Sequence, residues 1–245
     1  MEPFQLSSFD INTKTLITGA SNSGKTSLMK WIMYHLQNKF RFCIVVSATA
    51  DARMEYQGHV PDTFIYTKHP SKIIKKLLAK QTILVRLKKM KDPRVENMNI
   101  NVLLILDGVL FGNRWKTDES IRDLMFNGLH LSITTFIIQD QIELPPAFRA
   151  QIDYIFAFRM QSEEEKEKIY KHYWYNANGV FLGAMNKCTD EAYKCLVIHN
   201  YHNYETFYCK TKHPNEIPDF KIGEPEIWEL HDKEYDQDWW NIETE

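Results

Sequence analysis

Apolar positions along this chain alternate between two patterns. Short unbroken runs occur at Thr15-Leu16-Ile17-Thr18, Phe42-Cys43-Ile44-Val45-Val46, Val102-Leu103-Leu104-Ile105-Leu106, Ile133 to Gln139 and Ile152 to Phe158. Runs of this length, rich in β-branched residues, predict strands covered on both faces, as in a parallel sheet. Between them, apolar residues recur at helical spacing. A helix is expected to open at Ser27-Leu28-Met29-Lys30-Trp31-Ile32, and another spans Ser71 to Lys80 with Ile73, Ile74, Leu77 and Leu78 on one face. Thr117 to Asn127 reads as a helix stopped by Gly128, taken as a left-handed terminator. Ser162 and Glu165 form a capping box before a helix through Tyr173. Phe64-Ile65-Tyr66 is a short strand, and Cys195 to His199 with Thr206 to Cys209 predicts a hairpin at the sheet edge. Strands alternating with helices give an α/β fold with a central, mostly parallel sheet flanked by helices and a C-terminal β-hairpin. No internal repeat or strong boundary interrupts it. The expected organisation is one domain over 1–223 and a tail over 224–245, loosely packed although it carries Trp228, Trp239 and Trp240.

Length and composition narrow the picture only a little. A chain of 245 residues suits one α/β domain. No run is long and apolar enough to span a membrane, and Met1-Glu2-Pro3-Phe4 lacks the charged-then-apolar start of a signal peptide, so a soluble intracellular protein without membrane insertion is expected. Cys43, Cys188, Cys195 and Cys209 form no C-x-x-C pair, which predicts buried free thiols rather than a zinc site. The formal net charge of -2 hides an asymmetry. Residues 224–245 hold nine acids and one Lys, leaving 29 basic and 23 acidic residues before them. A basic body with an acidic tail is compatible with a polyanionic partner.

One motif decides the chemistry. Gly19-Ala20-Ser21-Asn22-Ser23-Gly24-Lys25-Thr26 fits G-x-x-x-x-G-K-[ST] without mismatch, between a predicted strand and a predicted helix that opens at Ser27. Such a loop curls its N–H groups around phosphates at a helix N-terminus. Lys25 is placed to reach the β- and γ-phosphates of ATP, and Thr26 to offer its hydroxyl to Mg²⁺. Asp107, ending a buried strand, is the natural second half of the Mg²⁺ site; a strand-end helix cap is its plainer reading. Gly108 is the awkward residue, because ATP-driven motors of this kind usually carry a second acid there to activate water. Relocation of the base, a naturally slow enzyme and a deliberate substitution all remain open. Asp140 and Glu143 are the candidates for a relocated base.

Further candidates lie downstream. Gln139 ends the strand expected beside that of Asp107, where an amide could sense the γ-phosphate or position water. Arg149, in Leu144-Pro145-Pro146-Ala147-Phe148-Arg149, could reach the phosphates of a neighbouring subunit or serve as a surface ion pair; Arg122 and Arg114 are weaker candidates. Lys68 to Arg94 holds ten Lys and Arg against one acid, Asp92. Such a run can contact DNA phosphates or form a solvated helix face. The aromatics of Tyr170-Lys171-His172-Tyr173-Trp174-Tyr175 suit core packing better than base stacking.

In this order the pieces are specific. Added to the phosphate loop are Val45-Val46-Ser47-Ala48-Thr49, Val60-Pro61-Asp62-Thr63-Phe64-Ile65, Leu104-Ile105-Leu106-Asp107, Phe126-Asn127-Gly128-Leu129-His130, Gln139, Pro145-Pro146-Ala147-Phe148-Arg149 and Ile152-Asp153-Tyr154-Ile155-Phe156. The chain resembles the genome-packaging ATPases of large nucleocytoplasmic DNA viruses, the poxvirus-type branch of the FtsK/HerA superfamily, from about Leu16 to Cys209. The resemblance implies an ASCE/RecA-like P-loop fold and an ATP-driven motor that moves double-stranded viral DNA into a preformed capsid. It implies a homo-oligomeric ring with sites between subunits, a capsid or portal-vertex partner, and residence in the host cytoplasm, at the viral factory, or in the virion. It carries the nucleotide cradle over to Gly19, Ala20, Ser21, Asn22, Ser23, Gly24, Lys25, Thr26 and Ser27, with Mg²⁺ at Thr26 and Asp107. Gln139 would be a sensor and Arg149 a trans-acting arginine. Two positions depart from the pattern: an acid is expected at Gly108 and an Arg at Leu129. Alternatives are a nucleotide-binding subunit that does not hydrolyse ATP and, with no Arg-rich lid in view, a P-loop small-molecule kinase.

Overall fold

The structure is a computed structural model of the chain, and it describes all residues except 7–8, 68–69, 142–143, 175–180, 201–204 and 235–245. Nine strands form one sheet: β1 (Glu2–Pro3), β2 (Lys14–Thr18), β3 (Phe42–Ser47), β4 (Ile65–Tyr66), β5 (Val102–Asp107), β6 (Ile133–Gln139), β7 (Tyr154–Ala157), β8 (Lys194–His199) and β9 (Glu205–Lys210). Their spatial order is β1-β9-β8-β7-β2-β6-β5-β3-β4. The block from β7 to β4 is parallel throughout, while β8 pairs antiparallel with β7 and with β9.

The unbroken apolar runs are explained by two cores. Along β3, Phe42, Ile44 and Val46 face one cluster, whereas Cys43 and Val45 face the other. Leu104 and Leu106 of β5 likewise face opposite to Leu103 and Ile105. Period-2 alternation therefore persists, but both faces demand apolar side chains. One face is covered by α1 (Lys25–Leu36), through Leu28, Met29, Ile32, Met33 and Leu36. The other is covered by α3 (Pro70–Lys89), α4 (Glu119–Asn127), α5 (Pro146–Arg149), α6 (Glu163–Ile169) and α7 (Phe181–Cys188); the five-residue α2 (Ala50–Met54) follows β3. All four cysteines are buried and free, as expected.

Four local expectations are corrected. The helix expected to end near Lys80 runs on to Lys89. Its apolar stripe is interrupted by Gln81, which is fully buried because its amide donates to the Ile100 and Leu131 carbonyls. Gly128 is right-handed, at φ -54°. It is needed for space, since a Cβ there would lie 2.6 Å from the Leu124 carbonyl oxygen, and the left-handed residue is Ser132. The hairpin of β8 and β9 is not the outermost edge, because β1 adds a further parallel strand to β9. Finally, the segment after Gly223 is not loose where it is described. It forms α8 (Pro225–Glu234), with Trp228 buried and its indole N–H donating to the Ile222 carbonyl. Gly223 makes this approach possible, at φ 103°, where a Cβ would sit 2.9 Å from the Arg41 carbonyl oxygen. Trp239 and Trp240 lie outside the described residues.

The capping box at Ser162 and Glu165 is present. The helix it starts passes into a π-helical turn over Tyr170–Trp174. Tyr173 and Trp174 are buried, and Trp174 packs edge-on against Phe181 at 5.2 Å. These aromatics are core; Tyr175 lies outside the described residues.

Candidate functional site

The carboxyl ends of the parallel strands line up at one edge of the sheet. Register places Thr18 beside Gln139, Ile138 beside Asp107, and Asp107 beside Ser47. In open α/β sheets this is the edge where ligands bind. Chain order alone does not give this row: β6 lies between β2 and β5, and of its two neighbours only the Asp107 strand was expected.

The phosphate loop leaves β2 through Gly19 at φ 140° and enters α1 through Gly24 at φ 110°. Both glycines also stand where no side chain fits. A Cβ on Gly19 would lie 2.7 Å from the Phe158 Cβ, and one on Gly24 would lie 2.9 Å from the Tyr193 ring. Asn22 is left-handed as well, at φ 58°. The loop is pinned from outside by Ala20 N–H donating to the Arg159 carbonyl at 2.8 Å. The Thr18 and Ser23 hydroxyls are buried and find no hydrogen-bond partner among the described residues. Such a curl of main-chain N–H groups at a helix start, with orphaned hydroxyls around it, fits a polyphosphate.

Lys25 is buried, and its ammonium donates to the Gly19 carbonyl at 2.8 Å and the Ala20 carbonyl at 2.9 Å. It also pairs with Asp140 Oδ1 at 2.7 Å. The other carboxylate oxygen of Asp140 accepts from the Ser21 hydroxyl at 2.9 Å. Asp140 is thus fastened to the phosphate loop by two side chains, while its own side chain stays 58% exposed. Partial burial works to raise its carboxyl, but the hydrogen bonds and charge of Lys25 and the Ser21 hydroxyl prevail and hold it below the usual carboxylate range.

Asp107 is held differently. Burial lifts its carboxyl above the usual range, against the Tyr56 hydrogen bond and the Lys25 charge, while the Asp140 charge adds to the rise. The Tyr56 hydroxyl donates to Asp107 Oδ2 at 2.8 Å. Tyr56 is itself fully buried in the turn after α2, and its hydroxyl is pushed up by burial and by the Asp107 charge. Asp107 therefore orients toward the site rather than capping a helix. Tyr56 went unnoticed in the sequence; no motif links a tyrosine to an acid 51 positions later.

The remaining candidates divide. The Gln139 amide donates to the Leu110 carbonyl, so its side chain ties β6 to the loop after β5. Thr26 and Ser27 open α1 beside Lys25. Arg149 is not gathered into this cradle: its guanidinium donates to the Leu144 carbonyl at 3.0 Å and lies near His172 and Tyr173. Arg122 sits on α4 and Arg114 in the turn before it. Glu143 lies outside the described residues. Gly108 is left-handed at φ 68°, with room for a Cβ at 3.4 Å from that of Ala48. The backbone, more than the space, selects glycine there.

Of the basic run, Lys72, Lys75, Lys76, Arg86 and Lys89 project from α3 into solvent, while the Lys80 ammonium lies 4.9 Å from the centre of the Phe42 ring. Among the described residues none of these six pairs with a carboxylate. Arg94 is tied to Asp92 at 2.7 Å, and Lys68 lies outside the described residues.

The family model described as "Poxvirus A32 protein" matches residues 4–213. The chain belongs to the poxvirus A32 family. The curated relatives of this family member include the uncharacterized protein L437 of Acanthamoeba polyphaga mimivirus, 26% identical over 96% of this chain and 86% of that one. Another is the uncharacterized protein 015R of Frog virus 3, 24% identical over 77% of this chain and 56% of that protein. Among solved structures, the DNA-packaging ATPase B204 of Sulfolobus turreted icosahedral virus superposes with a TM-score of 0.60 at 17% identity, covering 84% of this chain and all of that one. The conjugation coupling protein TcpA gives 0.61 at 13% identity over 85% of this chain and 65% of its own. At these identities the structural likeness establishes a P-loop ATPase fold. No helix among the described residues is long and apolar enough to cross a membrane.

Proposed function

We propose that this A32-family protein is an ATP-driven packaging motor that moves double-stranded viral DNA into a preformed capsid. The observation that carries the reading is the convergence of a complete phosphate loop and Asp107 at one sheet edge, on a fold shared with a viral DNA-packaging ATPase. In this reading Gly19 to Ser27 cradle the triphosphate, and Lys25 gives up carbonyl contacts to reach the β- and γ-oxygens. Thr26 and Asp107 hold the Mg²⁺ that neutralises phosphate charge, with Tyr56 orienting Asp107. Gln139 acts as the sensor by coupling the end of β6 to the loop beyond Asp107. Arg149, outside its own chain's cradle, serves the site of a neighbour in a homo-oligomeric ring.

The exposed cations of α3 supply a sequence-independent surface for DNA phosphates. They lie across the sheet from α1, so DNA and nucleotide occupy different faces of the subunit. A capsid or portal-vertex protein is the expected docking partner, and the host cytoplasm or the virion is the place of action. The test is ATP turnover by the full chain with and without duplex DNA, alongside the mass of the assembled particle. DNA-stimulated turnover by a multimer is expected; ATP turnover indifferent to DNA across salt concentrations would overturn the motor reading. A second reading, an ATP-binding subunit that does not hydrolyse, is favoured by Gly108 alone. A kinase role has no observation in its favour.

A further inference from the structure

Beyond Asp107 the tip of β5 offers no second acid to activate water, whereas an acid directly follows β6. We infer that Asp140 is the catalytic base of this chain, taking the place of the carboxylate missing at position 108. The inference rests on the ATPase reading above. Four observations meet at this residue. First, the backbone at Gly108 is left-handed, at φ 68°, a conformation that side chains other than Asn and Asp seldom take. Position 108 therefore suits Gly, Asn or Asp, and this chain places there the one of the three without a side chain. Second, Asp140 directly follows the strand that lies between those of the phosphate loop and Asp107. Third, its two oxygens are fixed by Lys25 at 2.7 Å and Ser21 at 2.9 Å, both on the loop that would hold the triphosphate. Fourth, more than half of its side chain remains open to solvent, so water has access to the carboxylate.

A carboxylate anchored to the phosphate-binding lysine has a defined position relative to the γ-phosphate without itself being buried. In the step it performs, a water oxygen forms the new bond to the γ-phosphorus while the bond from that phosphorus to the β–γ bridging oxygen breaks. ADP leaves with the bond's electron pair. The proton lost by water passes to a carboxylate oxygen of Asp140 and then to solvent, so ATP and water become ADP, inorganic phosphate and a proton. The Lys25 ammonium, in short contact with the carboxylate, offsets the repulsion between Asp140 and the phosphates. The nearby Glu164 and Glu165 do not compete for this role. Glu164 pairs with Lys168, and Glu165 closes the capping box on Ser162.

The experiment compares the unmodified full chain with Asp140→Asn in two measurements. Equilibrium binding of a fluorescent ATP analogue with Mg²⁺ reports the cradle, and single-turnover hydrolysis of ATP reports the chemistry. Binding within a few-fold of the unmodified chain, with hydrolysis slowed about 10²–10⁴-fold, is expected for loss of a general base. Hydrolysis at the unmodified rate overturns the inference. Loss of binding together with turnover also overturns it, since Asp140 would then merely hold Lys25. If the unmodified chain binds the analogue but never hydrolyses ATP, the inference fails while the nucleotide site stands. If the unmodified chain binds no nucleotide at all, it is the ATPase reading that fails.

Discussion

The tips of β5 and β6 lie side by side yet are built in opposite ways. At β5 the final residue, Asp107, is a mostly buried acid held by a fully buried tyrosine, and the next residue has no side chain. At β6 the final residue, Gln139, is a buried amide tied to a carbonyl, and the next is a solvent-facing acid clasped by the phosphate loop. The electrostatic result differs accordingly. Burial raises the carboxyl of Asp107, while partial burial of Asp140 is outweighed by Lys25 and Ser21, which lower it. A carboxylate costly to ionise is stabilised by a dication, and one already ionised beside water can accept a hydrogen bond that orients it. On the proposed reading, the two strands divide between them tasks that a pair of adjacent acids would share.

The most severe way to break this comparison is Lys25→Ala, which removes the group that touches the β6 tip and electrostatically supports the β5 tip. With ATP and Mg²⁺ at a hundred times Kd, the unmodified chain should gain about 2.7 kcal/mol of stability from ligand binding. The variant should show almost none of that shift in a thermal melt. Tyr56→Phe acts on the β5 tip alone. Loss of a partner that orients a metal ligand typically costs 10–100-fold in metal affinity. The Mg²⁺ concentration for half-maximal turnover should rise by about that factor, with binding of metal-free ATP unchanged. Gly108→Asp asks whether the β5 tip can be given a second acid. The left-handed backbone should cost roughly 1–2 kcal/mol of stability, read as a lower denaturant midpoint. If Asp140 is the base, as inferred above, turnover should not rise.

The smallest effect is the most diagnostic of burial. Because Asp107 binds its proton more tightly folded than unfolded, ionising it weighs against the fold. That cost is absent below about pH 4 and is established as pH rises through the folded value. Asp107→Asn should therefore match the unmodified melting temperature in acid and exceed it by a few degrees at neutral pH without nucleotide, while losing Mg²⁺-dependent turnover. A variant less stable at every pH would show that the tyrosine bond, and not burial, dominates at this position.

What was legible in the sequence follows from how far apart the interacting residues lie. The phosphate loop, the five main strands and Asp107 are local patterns of composition and spacing, so they were visible. Sheet position was partly visible: the strand ended by Gln139 was expected beside that of Asp107, and the two are paired. Tyr56 was not, because only the crossover from β3 carries it back over the tip of β5. Asp140 was merely one of two acids near the right strand, and its grip on Lys25 closes across 115 positions. Gln81 and Gly128 misled for a related reason. A buried glutamine whose amide nitrogen donates to two distant carbonyls reads as the end of an apolar stripe, and a glycine required for close packing reads as one required for its dihedral angle.

The docked helix α8 also has a topographic consequence. His231 lies 3.3 Å from the Thr63 hydroxyl, and Glu224 lies 3.7 Å from Arg41, whose charge reaches Lys80. The helix therefore sits at the β4 margin, with the residue that precedes it near Arg41 and Lys80, several strands away from the triphosphate cradle. A dye attached there would be a bystander to catalysis and a near witness to whatever polyanion settles on α3.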